Sequence, residues 1–211
     1  MILGFPLSEK YKKTKYPRIM TEAKLLQQFP ELSTQLVEAE KLFAQILAST
    51  QLDRLHLAID HIALRVNDLD TATRWQQALA ADAELLSDNQ INGRPIYLYQ
   101  LPQPLFILNQ AVNIVELPFP NQKRYPQQGW EHIELVLPFL KNESVEQWFH
   151  RAENKLKIDS HRIILKKSCH KADGEGLPNP ALAIKLMDEN NFTTIKLHPF
   201  SIKEIVMSEQ I

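Results

Sequence analysis

A heptapeptide of alternating polar and apolar positions occurs twice in the chain. The copies span residues 60–66 and 131–137, and each begins with an acid followed by a histidine. Because successive side chains of a strand point to opposite faces, the pattern predicts two related strands, each with one buried face. His61 and His132 occupy the same place in the two copies, which indicates that two imidazoles approach a common site.

The elements that follow each copy repeat in the same order. Helices are predicted at residues 68–81 and 142–156. Strands are predicted at residues 84–87, 96–101, 112–117, 163–166, 181–187 and 192–198. These patterns predict two modules, at residues 57–119 and 130–208, each in the order strand, helix, three strands.

The first 50 residues predict a helical extension of this repeat. Residues 1–19 have no sustained period and predict an extended arm, and a short helix is predicted at 20–29. From Pro30 to about Ser49, apolar residues recur at three- and four-residue steps, which predicts an amphipathic helix packed on the core. We therefore expect N-terminal helices in residues 1–50 and a paired-module domain in residues 51–211.

Three further segments carry local signals. Pro102 and Pro104 interrupt a strand pattern and predict an edge or a bend. Residues 167–180 hold two glycines and two prolines, which is typical of a functional loop, and we expect a lid there. Ser201 and Glu204 form a capping-box pattern that predicts a last short helix.

Composition narrows the class of protein. The chain has 211 residues, a formal net charge of −1 and one cysteine, Cys169. The charge argues against a general nucleic-acid binder, and no apolar stretch is long enough for a membrane span or ordered like a secretory signal. We expect a cytoplasmic protein whose metal chemistry, if any, uses imidazole and oxygen ligands. The sequence contains none of the usual motifs of nucleotide hydrolases, serine hydrolases or zinc proteases.

Several separated motifs occur in order along the chain, at residues 60–66, 91–96, 115–118, 125–126, 129–134 and 198–202. Together they resemble the bacterial YecM-like family of the vicinal oxygen chelate superfamily, which includes glyoxalases and extradiol dioxygenases. The resemblance covers residues 20–208 and implies an α+β fold in which two βαβββ modules form one cupped mixed sheet. It implies a divalent metal inside the cup and a small-molecule ligand, but no particular reaction.

Metal ligands of the superfamily lie on the first and last strands of each module. Carried over by position, they are His61 and Glu116 from the first module and His132 from the second. This set suits Zn, Fe, Mn or Ni. At the fourth position an ungapped alignment places Lys196, which cannot bind a metal, so the expected ligand is His198 two residues further on the same face.

Two functions remain open at this point. In the first, the protein is a metal-dependent isomerase, lyase or oxygenase that acts on vicinal oxygens, with Glu134 as a general base and Arg65 orienting substrate or ligands. In the second, it binds a small molecule without metal, and Lys196 favours this because an ammonium repels a cation. Structural roles compete with both: the histidines can be hydrogen-bonded core residues, and Glu116 can pair with Arg65. Glu204 needs no metal-binding role because its position in the capping box accounts for it, and Cys169 is taken as incidental. A third possible function is that of a partner protein that docks through its N-terminal helices.

Overall fold

The computed structural model describes residues 23–91, 93–169 and 176–208. Its helices are α1 (Lys24–Gln28), α2 (Pro30–Thr50), α3 (Leu69–Ala80), α4 (Val145–Asn154) and α5 (Ile202–Ser208). Its strands are β1 (Ile59–Arg65), β2 (Glu84–Ser87), β3 (Gln90–Ile91), β4 (Arg94–Ile107), β5 (Gln110–Pro118), β6 (Gly129–Val136), β7 (Ile163–Cys169), β8 (Pro180–Leu186) and β9 (Thr194–His198).

The strands form one mixed sheet in the order β2-β4-β5-β1-β6-β9-β8-β7, with β3 paired to β4. In the first module β1 is parallel to β5, and in the second β6 is parallel to β9. The two modules meet where β1 and β6 run antiparallel at the centre of the sheet. This arrangement confirms the predicted fold class of two βαβββ modules. Strands from both ends of the order line one cavity, so the sheet is curved.

Local sequence explains where the two crossover helices begin. The Asp68 carboxylate accepts a hydrogen bond from the Thr71 N–H at 2.8 Å and caps α3. Ser144 and Gln147 form a capping box at the start of α4. The indole of Trp148 then donates to the Leu137 carbonyl at 2.7 Å, which joins α4 to the end of β6.

The main core lies between the sheet and helices α1 to α4. Leu32, Phe43 and Ile46 of α2 are completely buried, as expected for its apolar stripe. Burial of such a side chain stabilises the fold by about 1.5–3 kcal/mol. The indole of Trp130 in β6 donates to the Leu32 carbonyl at 2.9 Å, so α2 is also fixed to the central strand.

A smaller apolar cluster lies on the other face of the sheet. It joins Leu98 and Ile114 to Val206 of α5. The predicted cap of α5 is confirmed, because Glu204 accepts from the Ser201 N–H at 2.8 Å and Ser201 accepts from the Glu204 N–H at 3.3 Å. Helix α5 therefore packs on part of the sheet face that lies opposite the main core.

The structure differs from two local predictions. Strand β4 continues through Pro102 and Pro104, and only its pairing with β5 is interrupted, between Gln100 and Leu105. The prolines lie in this irregularity because they have no N–H to donate to a ladder. Strand β7 extends to Cys169, so the strand occupies the start of the predicted lid.

Some predictions fall beyond the described part of the chain. The arm at residues 1–19 and residues 170–175 of the lid lie outside the described residues. Among the residues that the structure does describe, no helix is both long and apolar enough to cross a membrane.

Candidate metal centre

Four side chains at the centre of the sheet bring their ligand atoms together. One ligand atom from each of His61, Glu116, His132 and Glu134 lies within 4.8 Å of all the others. His61, His132 and Glu134 are buried, with 1%, 3% and 6% of their surface exposed. The structure thus groups three of the predicted ligands with the residue predicted as a general base.

The register of three adjacent strands explains this convergence. His61 of β1 lies directly opposite Glu134 of β6, and Ala63 lies opposite His132. On the other side of β1, Ala63 is paired with Glu116 of β5. Ala63 is fully buried and carries only a methyl group, which leaves space between His132 and Glu116 for their longer side chains to meet over β1.

The acid that precedes each histidine holds the imidazole in place. Asp60 Oδ2 lies 2.8 Å from Nδ1 of His61, and Glu131 Oε2 lies 2.8 Å from Nδ1 of His132. A carboxylate at Nδ1 orients the ring and raises its basicity as a ligand, and it leaves Nε2 for a metal. The repeated acid is visible in the sequence, but the contact of Asp60 and Glu131 with the rings is not, because neighbours in a regular strand point to opposite faces.

Each of these acids has a second partner. The backbone N–H of Ile202, at the start of α5, donates to Asp60 at 2.8 Å. Arg65 donates to Glu131, and its guanidinium lies 4.0 Å from the centre of the Tyr125 ring. Arg65 is therefore paired with Glu131 and not with Glu116, the pairing that the sequence left open. It contacts the candidate metal centre indirectly, because Glu131 lies between Arg65 and His132.

Lys196 places its ammonium inside the cluster. Its Nζ donates to Nε2 of His132 at 2.9 Å and to Oε1 of Glu134 at 2.8 Å. Lys196 is paired with Glu134 across β6 and β9, just as Glu116 is paired with Ala63 across β1 and β5. Lys196 therefore occupies in the second module the position that Glu116 occupies in the first.

His198 contacts the cluster at Glu134. Its Nε2 lies 2.8 Å from Oε2 of Glu134, and its Nδ1 lies 3.0 Å from Oδ1 of Asn179. It does not belong to the four-residue group, and its role as a ligand stays a prediction.

The charges of the cluster shift the pKa values of its members. Burial lowers the pKa of His61, but the carboxylates of Glu134, Asp60 and Glu116 outweigh it and raise that pKa to about 10. Burial and the Lys196 ammonium lower the pKa of His132 to about 4. Burial also opposes ionisation of Glu134, yet its neighbours His198, Lys196 and His61 hold the pKa of this carboxyl well below its usual value.

The donor atoms fit a single transition-metal ion. In the part of the chain that the structure describes, no hydrogen-bond partner is found for the buried Nε2 of His61. This atom lies 3.5 Å from Glu134 Oε2 and 3.8 Å from Glu116 Oε2, and His132 Nε2 lies 3.2 Å from Glu134 Oε1. Tetrahedral ligand atoms at ordinary Zn–N and Zn–O lengths lie about 3.3–3.6 Å apart. One atom from each of the four groups lies within 4.8 Å of the others, so the side chains would have to move closer together to share one ion.

Comparison with known proteins places the chain among bacterial relatives. Residues 28–209 match the sequence model of the family described as YecM protein. An uncharacterised protein of Haemophilus influenzae is 44% identical over 174 residues, which cover 82% of this chain and 91% of the relative. Protein YecM of Escherichia coli is 46% identical over 157 residues, covering 73% and 79%. A solved structure named Protein EC4020 is 38% identical with a TM-score of 0.76, covering 91% of this chain and all of that one.

Proposed function

The chain belongs to the YecM protein family, and from that premise we propose that it is a metal-dependent enzyme acting on a small molecule with vicinal oxygens. The observation that carries the proposal is the convergence of His61, Glu116, His132 and Glu134 within 4.8 Å. Two imidazoles and two carboxylates are a donor set that Zn, Fe, Mn or Ni accepts. A metal bound there would act as a Lewis acid and lower the energy of negative charge that develops on substrate oxygens.

The size of the cavity supports a small-molecule substrate. A cavity of about 350 Å³ opens above the cluster and is lined by Glu116, His132 and Glu134 among others. Cavities of about 300–1,000 Å³ are typical of sites for small ligands. Three of the four donors line this cavity, so a small molecule bound there contacts the cluster directly.

The chemistry of Glu134 favours a ligand role over the predicted role as a base. Its pKa is held well below the usual value despite its burial, because His198, Lys196 and His61 stabilise the carboxylate. A carboxylate of low pKa is a weak proton acceptor at neutral pH, whereas imidazole is matched to that task. His198 lines the same cavity and contacts Glu134, and we assign to it the proton transfer that a reaction here requires.

Elemental analysis tests the proposal. Protein purified without chelator is expected to contain about one transition metal per chain, as a single centre requires. The His61→Ala, His132→Ala double variant is expected to lose it. A matched control replaces two exposed histidines, His150 and His161, by alanine and keeps the metal. Wild-type protein that takes up no metal after dialysis against each of the four ions contradicts the proposal.

A specific observation favours the alternative of metal-free binding. The Lys196 ammonium already donates to His132 and Glu134, so a protein cation occupies part of the cluster. In that case the cavity would bind a small molecule without any ion. A thermal-shift screen of small ligands with and without EDTA separates the two functions, because stabilisation that is indifferent to chelator supports metal-free binding.

A further inference from the structure

We infer that the substrate carries an oxyanion, a carboxylate or a phosphate, which binds Arg94 while the rest of the molecule reaches the His–Glu cluster. The inference rests on the proposed function, because it names the class of substrate for the same cavity. Arg94 begins strand β4, and it lines the cavity together with Glu116, His132 and Glu134.

The cationic groups of the cavity differ in their partners. Arg65 is paired with Glu131, and Lys196 is paired with Glu134. Arg94 donates one hydrogen bond, to the Phe119 carbonyl at 3.2 Å. Within the described part of the chain it forms no ion pair. Arg94 is thus a half-buried guanidinium whose charge is not neutralised by a neighbouring carboxylate.

A guanidinium in this state is suited to bind an oxyanion. It presents five N–H donors in a planar fork that matches a carboxylate or a phosphate, and one of these donors is directed to Phe119. The Phe119 carbonyl fixes one side of the fork and leaves the other donors for a ligand. Lys166 of β7 lines the cavity from the second module, so both modules add a positive charge to its wall.

Part of the cavity wall is apolar, which indicates that the anionic substrate has a hydrocarbon portion. The apolar residues come from β3, β4 and α5 and comprise Ile91, Ile96, Leu98, Ile202, Ile205 and Val206. Such a wall contributes affinity by burying a carbon skeleton, whereas the few polar groups fix its orientation. The substrate is therefore expected to place its oxyanion at Arg94 and its reacting oxygens at the cluster.

Three probes that each contain six carbon atoms test this assignment: hexanoate, hexyl phosphate and the neutral hexanamide. Binding is measured by NMR titration of the full chain in EDTA at pH 7. We expect one of the anions to bind at least about tenfold more tightly than hexanamide, as a charged hydrogen-bonded pair does. Tighter binding of hexanoate identifies a carboxylate substrate, and tighter binding of hexyl phosphate identifies a phosphate monoester.

Variants then attribute the preference to one side chain. Arg94→Gln is expected to lose the preference for the anion and keep the affinity for hexanamide, and Arg94→Lys is expected to keep part of the preference. Arg54→Gln, which changes an exposed arginine away from the cavity, is the matched control. Equal binding of all three probes, or a preference that survives in Arg94→Gln, overturns the inference. If Arg94→Gln fails to fold, Arg94→Lys provides the test. An undiminished preference for the anion in Arg94→Lys overturns the inference, because an ammonium has no planar fork.

A zinc titration separates this inference from the proposed function. Arg94→Gln is expected to bind zinc as the wild type does, since the hydrogen bond of Arg94 within the described residues goes to the Phe119 carbonyl and not to one of the four donors. Zinc binding without anion preference overturns the inference alone. Anion preference in a protein that binds none of the four ions, zinc, iron, manganese and nickel, overturns the metal-dependent function alone.

Discussion

The ammonium of Lys196 lies 2.9 Å from Nε2 of His132, the atom with which that imidazole would bind a metal. Together with His61, whose pKa is raised to about 10, it supplies two positive charges beside the carboxylates of Glu116 and Glu134. A divalent ion brings the same charge. Metal binding by all four groups therefore requires that His61 release its proton and that the Lys196 ammonium move away from His132 and Glu134.

Replacement of Lys196 by methionine is expected to tighten metal binding. The ammonium competes for His132 and Glu134 and repels a cation, and its side chain is 27% exposed, so it can turn outward at some cost. Charge repulsion at a few ångströms amounts to about 1–4 kcal/mol in a partly exposed site, and outward rotation reduces it, so a gain of about tenfold is expected. Competition with a chromophoric chelator measures the affinity.

Lys157→Met is the control for this change, because Lys157 is exposed and lies away from the cavity. Unaltered or weaker metal binding in Lys196→Met would show that the ammonium is not a competitor.

Removal of the charge at Glu131 is expected to weaken metal binding. Glu131→Gln keeps an oxygen near Nδ1 of His132 but removes the carboxylate that orients the ring and pairs with Arg65. Loss of such a partner typically lowers metal affinity about 10–100-fold. The same titration measures it, with the exposed Glu189→Gln as control. Wild-type affinity in Glu131→Gln would remove Glu131 from the support of His132.

Metal binding is expected to release about one proton near pH 7. In the metal-free protein His61 has a pKa of about 10 and carries a proton that a metal must displace, whereas His132, with a pKa of about 4, is already neutral. Affinity should therefore rise about tenfold per pH unit between pH 7 and 8. Calorimetry of zinc binding in buffers of different ionisation enthalpy counts the protons, and a count of zero contradicts the assignment.

The same shift sets the pH dependence of folding in the metal-free protein. Because the folded-state pKa of His61 exceeds its ordinary value, its contribution to stability is complete below about pH 6.5 and is lost as pH rises towards 10. For His132 the sign is opposite: its folded-state pKa is depressed, so acidification from about pH 6.5 to 4 favours the unfolded chain. Urea titrations in the presence of EDTA at several pH values between 4 and 10 measure the loss of stability on both the acidic and the alkaline side.

Replacement of Gly129 by alanine is expected to destabilise the fold at the start of β6. Its φ is +120°, and a Cβ there would overlap the side-chain amide of Gln35. Strain of this kind costs about 1–3 kcal/mol. Gly93, with φ of +76° and open space around its Cβ position, is the matched control and should lose less. Urea denaturation measures the two midpoints, and an equal loss contradicts the role of Gln35.

The fold could be predicted because its signals are local and repeated. The period-2 pattern at residues 60–66 and 131–137 marks β1 and β6, and the same order of elements follows each. The passage at Pro102 and Pro104 was harder, since a strand can continue through residues that cannot pair if the ladder resumes on both sides. Neither proline shows by itself whether the strand ends or only its pairing does.

The candidate site could be predicted only in part, because it depends on register between strands. His61 and His132 repeat visibly in sequence, but the meeting of Glu134 with His61 follows from the pairing of β1 with β6. The support of His61 by Asp60 was hidden for another reason. Neighbours in a regular strand point to opposite faces, and these two meet where the β1–β6 register shifts between Ile59 and His61.

Asp60 Oδ2 is shared by two groups that are far apart in the chain: the imidazole of His61 and the backbone N–H of Ile202, 142 residues later. The final helix and a candidate ligand thus depend on one oxygen atom. Displacement of α5 would break the hydrogen bond from Ile202 and alter the hold of Asp60 on the ring. Because residues of α5 also line the cavity, a bound molecule that shifts this helix would change the support of His61.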